Sequence, residues 1–462
     1  MYLCGNYFVL NPIDDTIIAL ATPPGISALA VIRLSGKNAI EITQQVFKGK
    51  NLLQQSSHTV HLGGLGEKGR TIDEVMVAIF KEPHSFTKEN SVEISCHGSP
   101  VIVKEIIKLL MAHGARLAKP GEFTQRAFFN GRFDLAQAEA VADLIHAEND
   151  NARQAALNQM RGGFSKEIQH LREELIHFAS LIELELDFGE EDVEFAKRED
   201  LKKLIQQIQI YLQSLIQSFD QGNVIKNGVP TVIAGKPNAG KSTLLNALLN
   251  EEKAIVSDIP GTTRDVIEDE VVIGGINFRF MDTAGLRDTA DVVESIGVER
   301  TRERMKNASL ILYLFDLAQT SIEEIHGQEK ELQSLGIPYL KIGNKIDQAK
   351  KGVIEQLPND FILISASAKT NLSQLKDKIV SFFQIKEIKQ GDVVVTNMRH
   401  YQNLIQTNDA LDRVLYGMDH GVTGDFLAMD IRQSLHYLGE ITGQITSDDL
   451  LANIFSKFCI GK

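Results

Sequence analysis

Residues 235–242, Gly-Lys-Pro-Asn-Ala-Gly-Lys-Ser, decide the fold of the segment around them. They match the pattern G-x-x-x-x-G-K-[ST], with a strand-like run before them at 231–234 and a helix-like run after them at 243–249. The two glycines let the backbone turn its N–H groups toward phosphates, where the helix N-terminus adds partial positive charge. We therefore expect a P-loop in which Lys241 reaches the β- and γ-phosphates and the Ser242 hydroxyl binds Mg²⁺.

Two later segments have the residues needed to meet the γ-phosphate. Asp282-Thr-Ala-Gly285 follows the hairpin-like run 271–280, whose Gly-Gly pair is a two-residue turn signal. We expect Asp282 to hold the metal through water and the Gly285 N–H to meet the γ-phosphate. The preceding run 257–263, rich in polar residues, is expected to be a switch loop in which Thr263 closes on Mg²⁺.

Two further motifs indicate the base. Asn344-Lys-Ile-Asp347 follows a buried strand and supplies a carboxylate that accepts hydrogen bonds from the N1–H and 2-amino group of guanine, a pair that adenine cannot offer. Ser367-Ala-Lys369 follows another strand and fits the loop behind the guanine O6. A turn or a helix cap explains any one motif about equally well. The four together, in order on an alternating strand and helix pattern, predict a GTP-hydrolysing domain of Rossmann-like fold.

The residue after Gly285 is Leu286, where many signalling GTPases place a glutamine that orients the attacking water. An apolar side chain cannot orient water, so another residue must do so. Asn238 in the P-loop offers an amide oxygen that, with backbone carbonyls of the switch loop, completes a cage for a monovalent cation in place of an arginine finger. Three carboxylates remain open as candidates for positioning the water: Asp288, Asp291 and Glu294.

The 462 residues are too many for one core, so we expect about two to four domains. The 43% hydrophobic and 24% charged content is typical of a soluble globular protein, and no run of about 18 apolar residues is present to cross a membrane. The first residues lack the features of a signal peptide. Three scattered cysteines predict neither a disulfide framework nor a metal–thiolate site. We expect a cytoplasmic protein without membrane association.

The net charge of −13 argues against nonspecific nucleic-acid binding, which needs clustered Lys and Arg. The charge is unevenly distributed. Residues 1–131 contain 13 Lys and Arg against 11 Asp and Glu, a net +2, so the remaining 331 residues carry −15. Any RNA contact must therefore be local or assisted by a partner.

The sequence pattern divides the chain into four segments. Residues 1–131 mix short β-branched runs with a helical stretch, which predicts an α+β domain. Residues 132–227 and 386–462 show helical periodicity, and residues 228–385 contain the strand and helix alternation of the GTPase motifs. The predicted fold class is multidomain α/β, with a P-loop GTPase domain inserted into an all-α helical domain that follows an N-terminal α+β domain.

The chain resembles the MnmE family of tRNA modification GTPases, also called TrmE, from about Asp15 to the last residue. Beyond the GTPase motifs, the resemblance rests on flanking motifs that are more specific: Thr22-Pro-Pro-Gly25, Pro120-Gly-Glu-Phe-Thr-Gln-Arg-Ala127, Phe133-Asp-Leu-Ala-Gln-Ala-Glu-Ala140, Asp282-Thr-Ala-Gly-Leu-Arg287 and Cys459-Ile-Gly-Lys462.

This resemblance implies a homodimer joined through N-terminal domains that bind a one-carbon tetrahydrofolate, of the 5-formyl or methylene type, at their interface. It also implies a heterotetramer with the flavoprotein MnmG that binds certain tRNAs. There it builds the 5-carboxymethylaminomethyl or aminomethyl group on the wobble uridine, U34. The GTPase domains of the family dimerise across the nucleotide in a potassium-dependent way. This arrangement takes the place of the arginine finger that the chain lacks.

The resemblance assigns roles residue by residue. The K⁺ ligands are Asn238, Ser257, Ile259 and Thr262, and the Mg²⁺ ligands are Ser242 and Thr263. Glu294 matches the family's water-orienting glutamate, and the folate residues are Arg33, Glu93, Arg132 and Lys462. The residues assigned to GTP binding are Asn238, Ala239, Gly240, Lys241, Ser242, Thr243, Ser257, Asp258, Ile259, Pro260, Gly261, Thr262, Thr263, Asp282, Thr283, Ala284, Gly285, Asn344, Lys345, Asp347, Ser367, Ala368 and Lys369.

The last four residues have the C-a-a-X shape of a prenylation signal, but a final lysine in a bacterial-type protein argues against that modification. The resemblance instead implies a tail that reaches back to the folate site, and Cys459 is not assigned a catalytic role. Two other functions remain open: a ribosome-assembly or RNA-binding GTPase switch, and a GTP-dependent scaffold. Folate binding by residues 1–131 alone would distinguish tRNA modification from both of these alternatives.

Overall fold

The structure is a computed structural model that describes residues 15–187, 198–252, 269–281, 303, 305–383 and 388–461. In these residues the strands are β1 (Thr16–Leu20), β2 (Ser27–Ser35), β3 (Phe47–Lys48), β4 (Thr59–Glu67), β5 (Arg70–Phe80), β6 (Ser91–Gly98), β7 (Ala115–Leu117), β8 (Val229–Gly235), β9 (Asp269–Ile273), β10 (Ile276–Phe280), β11 (Leu310–Asp316), β12 (Tyr339–Asn344) and β13 (Ile362–Leu363). The helices are α1 (Ala39–Val46), α2 (Pro100–Ala112), α3 (Glu122–Phe129), α4 (Leu135–Ile145), α5 (Asp150–Met160), α6 (Gly163–Asp187), α7 (Arg198–Asn227), α8 (Lys241–Glu252), α9 (Ile322–Ser334), α10 (Lys351–Ile354), α11 (Leu372–Phe383), α12 (Met398–Asp419), α13 (Gly424–Thr442) and α14 (Asp448–Ser456).

A seven-stranded sheet forms the N-terminal part, in the order β3-β4-β5-β6-β2-β1-β7. Its neighbours are antiparallel except for the parallel pair β1 and β7. Because side chains alternate between the two faces of a strand, every second residue of β5 and β6 enters one core with α1 and α2. The opposite face of β4, β5, β6 and β2 carries the intervening residues, and it includes the candidate folate residues described below.

The GTPase motifs lie on a second sheet, ordered β13-β12-β11-β8-β10-β9, which is parallel except for the hairpin β9–β10. The hairpin turns at Gly274 and Gly275, both with positive φ, as the predicted two-residue turn requires. The central strands β8 and β11 are almost wholly buried, as expected for a parallel sheet covered on both faces. The sheet therefore brings the carboxyl ends of β8, β11 and β12 to one edge, where ligands bind in open α/β sheets.

Helices make up most of the remaining described chain. Asp134 caps α4, since its carboxylate accepts from the Gln137 N–H at 2.8 Å while the Gln137 side chain accepts from the Asp134 N–H at 3.1 Å. α6 packs on α13, where the Arg172 guanidinium donates to the Leu435 carbonyl at 3.1 Å. A Cβ at Gly439 would lie 2.4 Å from that guanidinium, so glycine is what allows the close approach.

The chain forms two compact units, each described by itself. The first consists of the described residues of 1–145, 159–197 and 416–462, and the second of those of 146–158 and 198–415. The second unit contains the GTPase sheet with α7 and most of α12, where Phe219 and Tyr401 stack with ring centroids 4.2 Å apart. The predicted boundaries at 131, 227 and 385 stay predictions. No helix in the described ranges is long and apolar enough to span a bilayer.

Candidate functional site

The P-loop requires glycine at two positions. β8 ends at Gly235, where φ is +145° and a Cβ would lie 2.4 Å from the Leu314 carbonyl oxygen. Gly240 has a φ of +95°, and a Cβ there would lie 2.3 Å from Asn344 Nδ2. An L side chain at either position would meet both backbone strain and a clash. The glycines of the motif therefore shape the loop as the sequence predicted.

Lys241 begins α8 and folds back over the loop that precedes it. Its ammonium donates to the carbonyl oxygens of Gly235 and Lys236, both at 2.9 Å. Burial lowers the pKa of Lys241, because desolvation disfavours the charged form. Ser242 and Thr243 occupy the same first turn, where N–H groups are free of intrahelical partners. The ammonium and the helix N-terminus thus lie at the same end of the P-loop, and phosphate binding there stays a prediction.

Asn344 joins the P-loop to the loop behind the base. It ends β12 and is 2% exposed. Its Nδ2 donates to the Ala239 carbonyl at 2.8 Å, and its Oδ1 accepts from the Ala366 N–H at 3.0 Å. One buried side chain therefore fixes the distance between two loops that are far apart in sequence. These two contacts make Asn344 a positioning residue for both loops, and its predicted role in GTP binding stays a prediction.

The residues assigned to guanine are exposed at the same edge. Asp347 is exposed, and a hydrogen bond from the Ser365 hydroxyl holds the pKa of the Asp347 carboxyl below its usual value. It is therefore ionised at neutral pH and can accept two hydrogen bonds. Ser367, Ala368 and Lys369 are exposed, and the Ala368 N–H donates to Ser365 Oγ at 3.3 Å. The two motifs predicted to recognise the base thus share Ser365.

Asp316 was not identified from the sequence. It ends β11, is buried, and accepts a hydrogen bond from Lys345 Nζ at 2.7 Å and from the Ala318 N–H at 3.0 Å. This ion pair fixes the side chain of Lys345, the lysine of the Asn-Lys-x-Asp motif. The backbone of Lys345 has a φ of +63°. The available signal was a single carboxylate at the end of the apolar run 310–316, in line with the polar residue Asn344 that ends β12.

Part of the predicted site lies outside the described residues. This applies to the switch loop, the Asp-Thr-Ala-Gly motif, the water-orienting glutamate and the C-terminal lysine. The residues concerned are Ser257, Asp258, Ile259, Pro260, Gly261, Thr262, Thr263, Asp282, Thr283, Ala284, Gly285, Glu294 and Lys462. Of the predicted K⁺ ligands, only Asn238 is described; it is exposed with a φ of +61°.

The candidate folate residues Arg33 and Glu93 are cross-strand neighbours in β2 and β6. Arg33 Nε donates to Glu93 Oε1 at 2.9 Å, and Nη2 of the same guanidinium lies 2.8 Å from that oxygen. Nη1 donates to the carbonyl of Gly461 at 3.2 Å. The resemblance assigned these two residues to one site, and the structure brings them together although they are 60 positions apart.

Aromatic rings surround the two candidate arginines. The Phe86 ring centroid lies 5.4 Å from the Arg33 guanidinium carbon and 5.2 Å from that of Arg132. Phe133 lies 5.2 Å from Arg132, and Phe123 lies 5.8 Å from Arg33. Burial lowers the pKa of Arg132. Both guanidiniums are thus held against ring faces by cation–π attraction. The sequence assigned none of these three phenylalanines to the site, although Phe123 and Phe133 lie within motifs that carry the resemblance.

A buried ion network anchors α3, which carries one of these rings. Arg126, 2% exposed, donates to Asp15 at 2.6 Å, to Glu122 at 3.2 Å and to Glu89 at 3.3 Å. Burial alone would raise the pKa of the Glu122 carboxyl, but hydrogen bonds led by that from Arg116 hold it below its usual value. The opposed charges therefore fix α3 against the sheet.

The C-terminal tail lies against the N-terminal sheet, in the direction that the resemblance implies. The Cys459 carbonyl accepts from the Gly121 N–H at 3.5 Å, and Cys459 itself is an exposed free thiol. Gly461 has a φ of +95°, and a Cβ there would lie 2.5 Å from the Leu20 carbonyl oxygen. The backbone of the tail is therefore in close contact with β1 at Gly461, the residue before Lys462.

The sheet face that carries Arg33 and Glu93 is partly apolar and exposed. A cross-strand row runs from Val60 through Glu93 to Arg33, and the next row contains Leu62 and Met76. Val60 is 61% exposed, Leu62 66% and Met76 45%. Three large apolar side chains on one open sheet face are unusual for a surface that faces water alone.

Comparison with known proteins agrees with this geometry. The family model described as the MnmE helical domain matches residues 135–459, and that described as the GTP-binding protein TrmE N-terminus matches residues 16–132. A protein of Cytophaga hutchinsonii named tRNA modification GTPase MnmE is 61% identical over 450 residues, which cover 97% of this chain and 98% of the relative. The protein of the same name from Christiangramia forsetii is 51% identical, over 97% of this chain and 100% of the relative.

Among solved structures, the G domain of the T. maritima FeoB iron transporter is similar over 34% of this chain and 99% of its own, at 24% identity. Its TM-score of 0.26 is too low to support an argument. The full-length identities and the two family models are decisive, because they cover the N-terminal, helical and GTPase segments together. This chain belongs to the MnmE family of tRNA modification GTPases.

Proposed function

We propose that this chain couples GTP hydrolysis to tRNA modification. With the flavoprotein MnmG, in a heterotetramer, it would form the 5-carboxymethylaminomethyl or aminomethyl group on U34 of certain tRNAs. The observation that carries the proposal is the Arg33–Glu93 pair beside Arg132, within reach of the C-terminal tail. A nucleotide site of this type occurs in many GTPases, but this pair lies outside the residues assigned to GTP binding.

The nucleotide part of the proposal rests on the edge of the GTPase sheet. Asp347 would accept from the N1–H and 2-amino group of guanine, because its carboxylate is ionised and exposed. Lys241 would leave the P-loop carbonyls for the β- and γ-phosphates, which offer stronger, charge-assisted hydrogen bonds. Ser242 and Thr263 would hold Mg²⁺, which supplies positive charge to the phosphates.

The catalytic part of the proposal rests on sequence and family. Leu286 cannot orient water, so Glu294 would do so. Asn238, with Ser257, Ile259 and Thr262, would hold K⁺ between GTPase domains that dimerise across the nucleotide. The cation then balances the negative charge that develops in the transition state. A positive φ and exposure at Asn238 are compatible with a side chain that turns toward a second subunit.

The folate part of the proposal fits the chemistry of the described side chains. Glu93 would accept from the amino-pyrimidine edge of a pterin, while Arg33, Arg132 and Lys462 would pair with carboxylates. No described carboxylate lies within ion-pair distance of Arg132, so its guanidinium is available to an anionic ligand. The folate would supply a one-carbon unit to the modification.

Homodimerisation is supported by the exposed apolar side chains on the same sheet face. Val60, Leu62 and Met76 would be covered by the same face of a second copy, as a two-fold interface requires. An interface there would enclose the neighbouring Arg33–Glu93 pair, which places a folate next to both subunits.

The test is mass analysis of wobble uridines in tRNA from cells that lack this protein. We expect U34 of the affected tRNAs to lose the aminomethyl-type group, and the wild-type chain to restore it. Glu93→Gln should fail to restore the group although it retains GTP hydrolysis, since the residue lies outside the nucleotide site. Unchanged U34 modification in the deletion strain would refute the proposed function.

A further inference from the structure

A cleft of about 440 Å³ opens beside Arg132. It lies between the end of β5, the following loop and the segment after α3. Its lining includes His58, Phe80, His84, Phe86, Lys88 and Arg132.

The lining is positively charged. Lys88 and Arg132 carry permanent charges, His58 and His84 offer imidazole nitrogens, and no residue of the lining is a carboxylate. Among the described residues, neither cation forms an ion pair with Asp or Glu, whereas the nearby Arg33 does. A concave surface of this kind attracts anions, because focused positive potential is not offset by a local acid.

Hydrogen bonds between the two walls of the cleft fix its shape. Lys88 Nζ donates to the Gly131 carbonyl at 2.8 Å, Asn130 Nδ2 donates to the Thr87 carbonyl at 2.6 Å, and Arg132 Nη1 donates to the Ser85 carbonyl. Three side chain to backbone bonds thus join the loop after β5 to the residues after α3. The cationic groups are therefore positioned before any ligand arrives, which lowers the entropic cost of binding.

The cleft continues directly from the candidate folate site. Phe86 belongs to its lining and also lies against both guanidiniums, 5.4 Å from Arg33 and 5.2 Å from Arg132. A ligand whose head lies at the Arg33–Glu93 pair can therefore pass Arg132 and enter the cleft without leaving the protein surface. Phe80 and Phe86 offer apolar contact for methylene groups along such a path.

We propose that this cleft binds the γ-linked oligoglutamate extension of a folate. Each added glutamate brings one carboxylate for Lys88, the imidazoles or Arg132, and two methylenes for the aromatic rings. The inference rests on the proposed folate site and deepens it: the chain would prefer polyglutamylated folates over the monoglutamate. One exposed ion pair contributes about 0.2 to 1 kcal/mol, so two added contacts would tighten binding about twofold to thirtyfold.

The experiment compares 5-formyltetrahydrofolate monoglutamate with its pentaglutamate by calorimetry, using the full-length wild-type protein. We expect the pentaglutamate to bind about tenfold tighter, with a stronger dependence on salt. In the double variant His84→Ala, Lys88→Gln this preference should disappear while the monoglutamate still binds with wild-type affinity. Glutamine at position 88 keeps an N–H donor for the Gly131 carbonyl, so the loss of charge is separated from the loss of the loop contact.

Lys81→Ala is the matched control. It removes one positive charge from the same loop, but its ammonium lies near the Leu53 carbonyl, 3.4 Å away, and is not part of the cleft. We expect Lys81→Ala to keep the preference for pentaglutamate. Equal affinity of the wild type for the two folates, or a preference that survives in the double variant, would overturn the inference and leave the folate site itself intact.

Free γ-pentaglutamate and inorganic phosphate separate the failure of this inference from the failure of the proposed function. If neither folate binds, the proposed function fails. In that case, the cleft is still supported as an oligoglutamate site if free γ-pentaglutamate binds and the double variant weakens this binding. If free γ-pentaglutamate does not bind, the proposed oligoglutamate site is refuted. Equal competition by phosphate and by free γ-pentaglutamate at matched charge would show a site for small anions and overturn the assignment to the tail.

Discussion

Asn344→Ala should weaken GTP binding through the position of two loops rather than through contact with the base. The side chain is 2% exposed and makes two hydrogen bonds, to Ala239 O at 2.8 Å and from Ala366 N at 3.0 Å. Alanine would leave both backbone groups without this partner. Each buried group that loses its partner costs about 1 to 3 kcal/mol, so the two groups together predict a loss of about 2 to 6 kcal/mol in the free energy of unfolding.

The same loss should appear in nucleotide affinity, because GTP requires the P-loop and the Ser365–Lys369 loop at a fixed separation. At about 1.4 kcal/mol per tenfold change, a loss of 2 kcal/mol weakens the Kd for GTP about 30-fold. The assays are fluorescent-nucleotide titration and urea unfolding followed by circular dichroism. GDP and xanthosine nucleotides should be weakened by the same factor as GTP, since the effect does not depend on the base.

Ser381→Ala is the matched control, because Ser381 is in the same GTPase segment and its exposed hydroxyl makes one hydrogen bond, to Lys378 O at 2.9 Å. It should change neither property by more than about 0.5 kcal/mol. Asn344→Asp is a second test, since it keeps the acceptor for Ala366 N but places a carboxylate against the Ala239 carbonyl. Wild-type GTP affinity in Asn344→Ala would refute the proposed positioning role.

Four further predictions concern the remaining sites. Asp347→Asn should shift base preference from guanine to xanthine in competition titrations, and unchanged selectivity would contradict the base-recognition argument. GTP turnover should be much faster in potassium than in sodium, and equal rates would exclude the cation cage at Asn238. Glu294→Ala should lower the turnover number by orders of magnitude with little change in Kd, since its role is confined to water; a wild-type rate would be incompatible with that role. Glu93→Gln should weaken folate binding about tenfold or more in calorimetry, because a charged acceptor is lost, while GTP affinity stays the same; intact folate binding would remove Glu93 from the site.

The GTPase segment was predictable because its function depends on short contiguous motifs. Gly235 and Gly240 sit where the backbone allows no other residue, and the predicted strand before them is confirmed as β8. Strand ends were less predictable. The strand predicted before Ser367 is confirmed only as the two residues Ile362–Leu363, which pair with β12 at the edge of the sheet.

The surroundings of the candidate sites were not predictable, because they depend on contacts between distant segments. Asp316 pairs with Lys345 across 29 positions, and neither residue type signals its partner. Phe86 lies against Arg33 and Arg132 because the loop that follows β5 packs on the residues that follow α3. Resemblance to a family assigned the charged residues of the folate site, but a lone phenylalanine in a loop has the sequence signature of ordinary packing.

Strand alternation links the two proposals for the N-terminal sheet. Val92 and Ile94 face the core with α1 and α2, so Glu93 between them must face the open side, in the row that begins at Val60. If a second copy covers that row, water is displaced from the side of the sheet that carries Glu93 and Arg33, and their hydrogen bonds to a polar ligand strengthen as the local dielectric falls. A folate bound at that pair would then favour the dimer by the same factor by which the dimer favours the folate, because linkage between two binding equilibria is reciprocal. The exposed apolar side chains and the charged pair would then act as one energetic unit, and a substitution at Leu62, in the row next to that of Glu93, should change folate affinity without contact with the ligand.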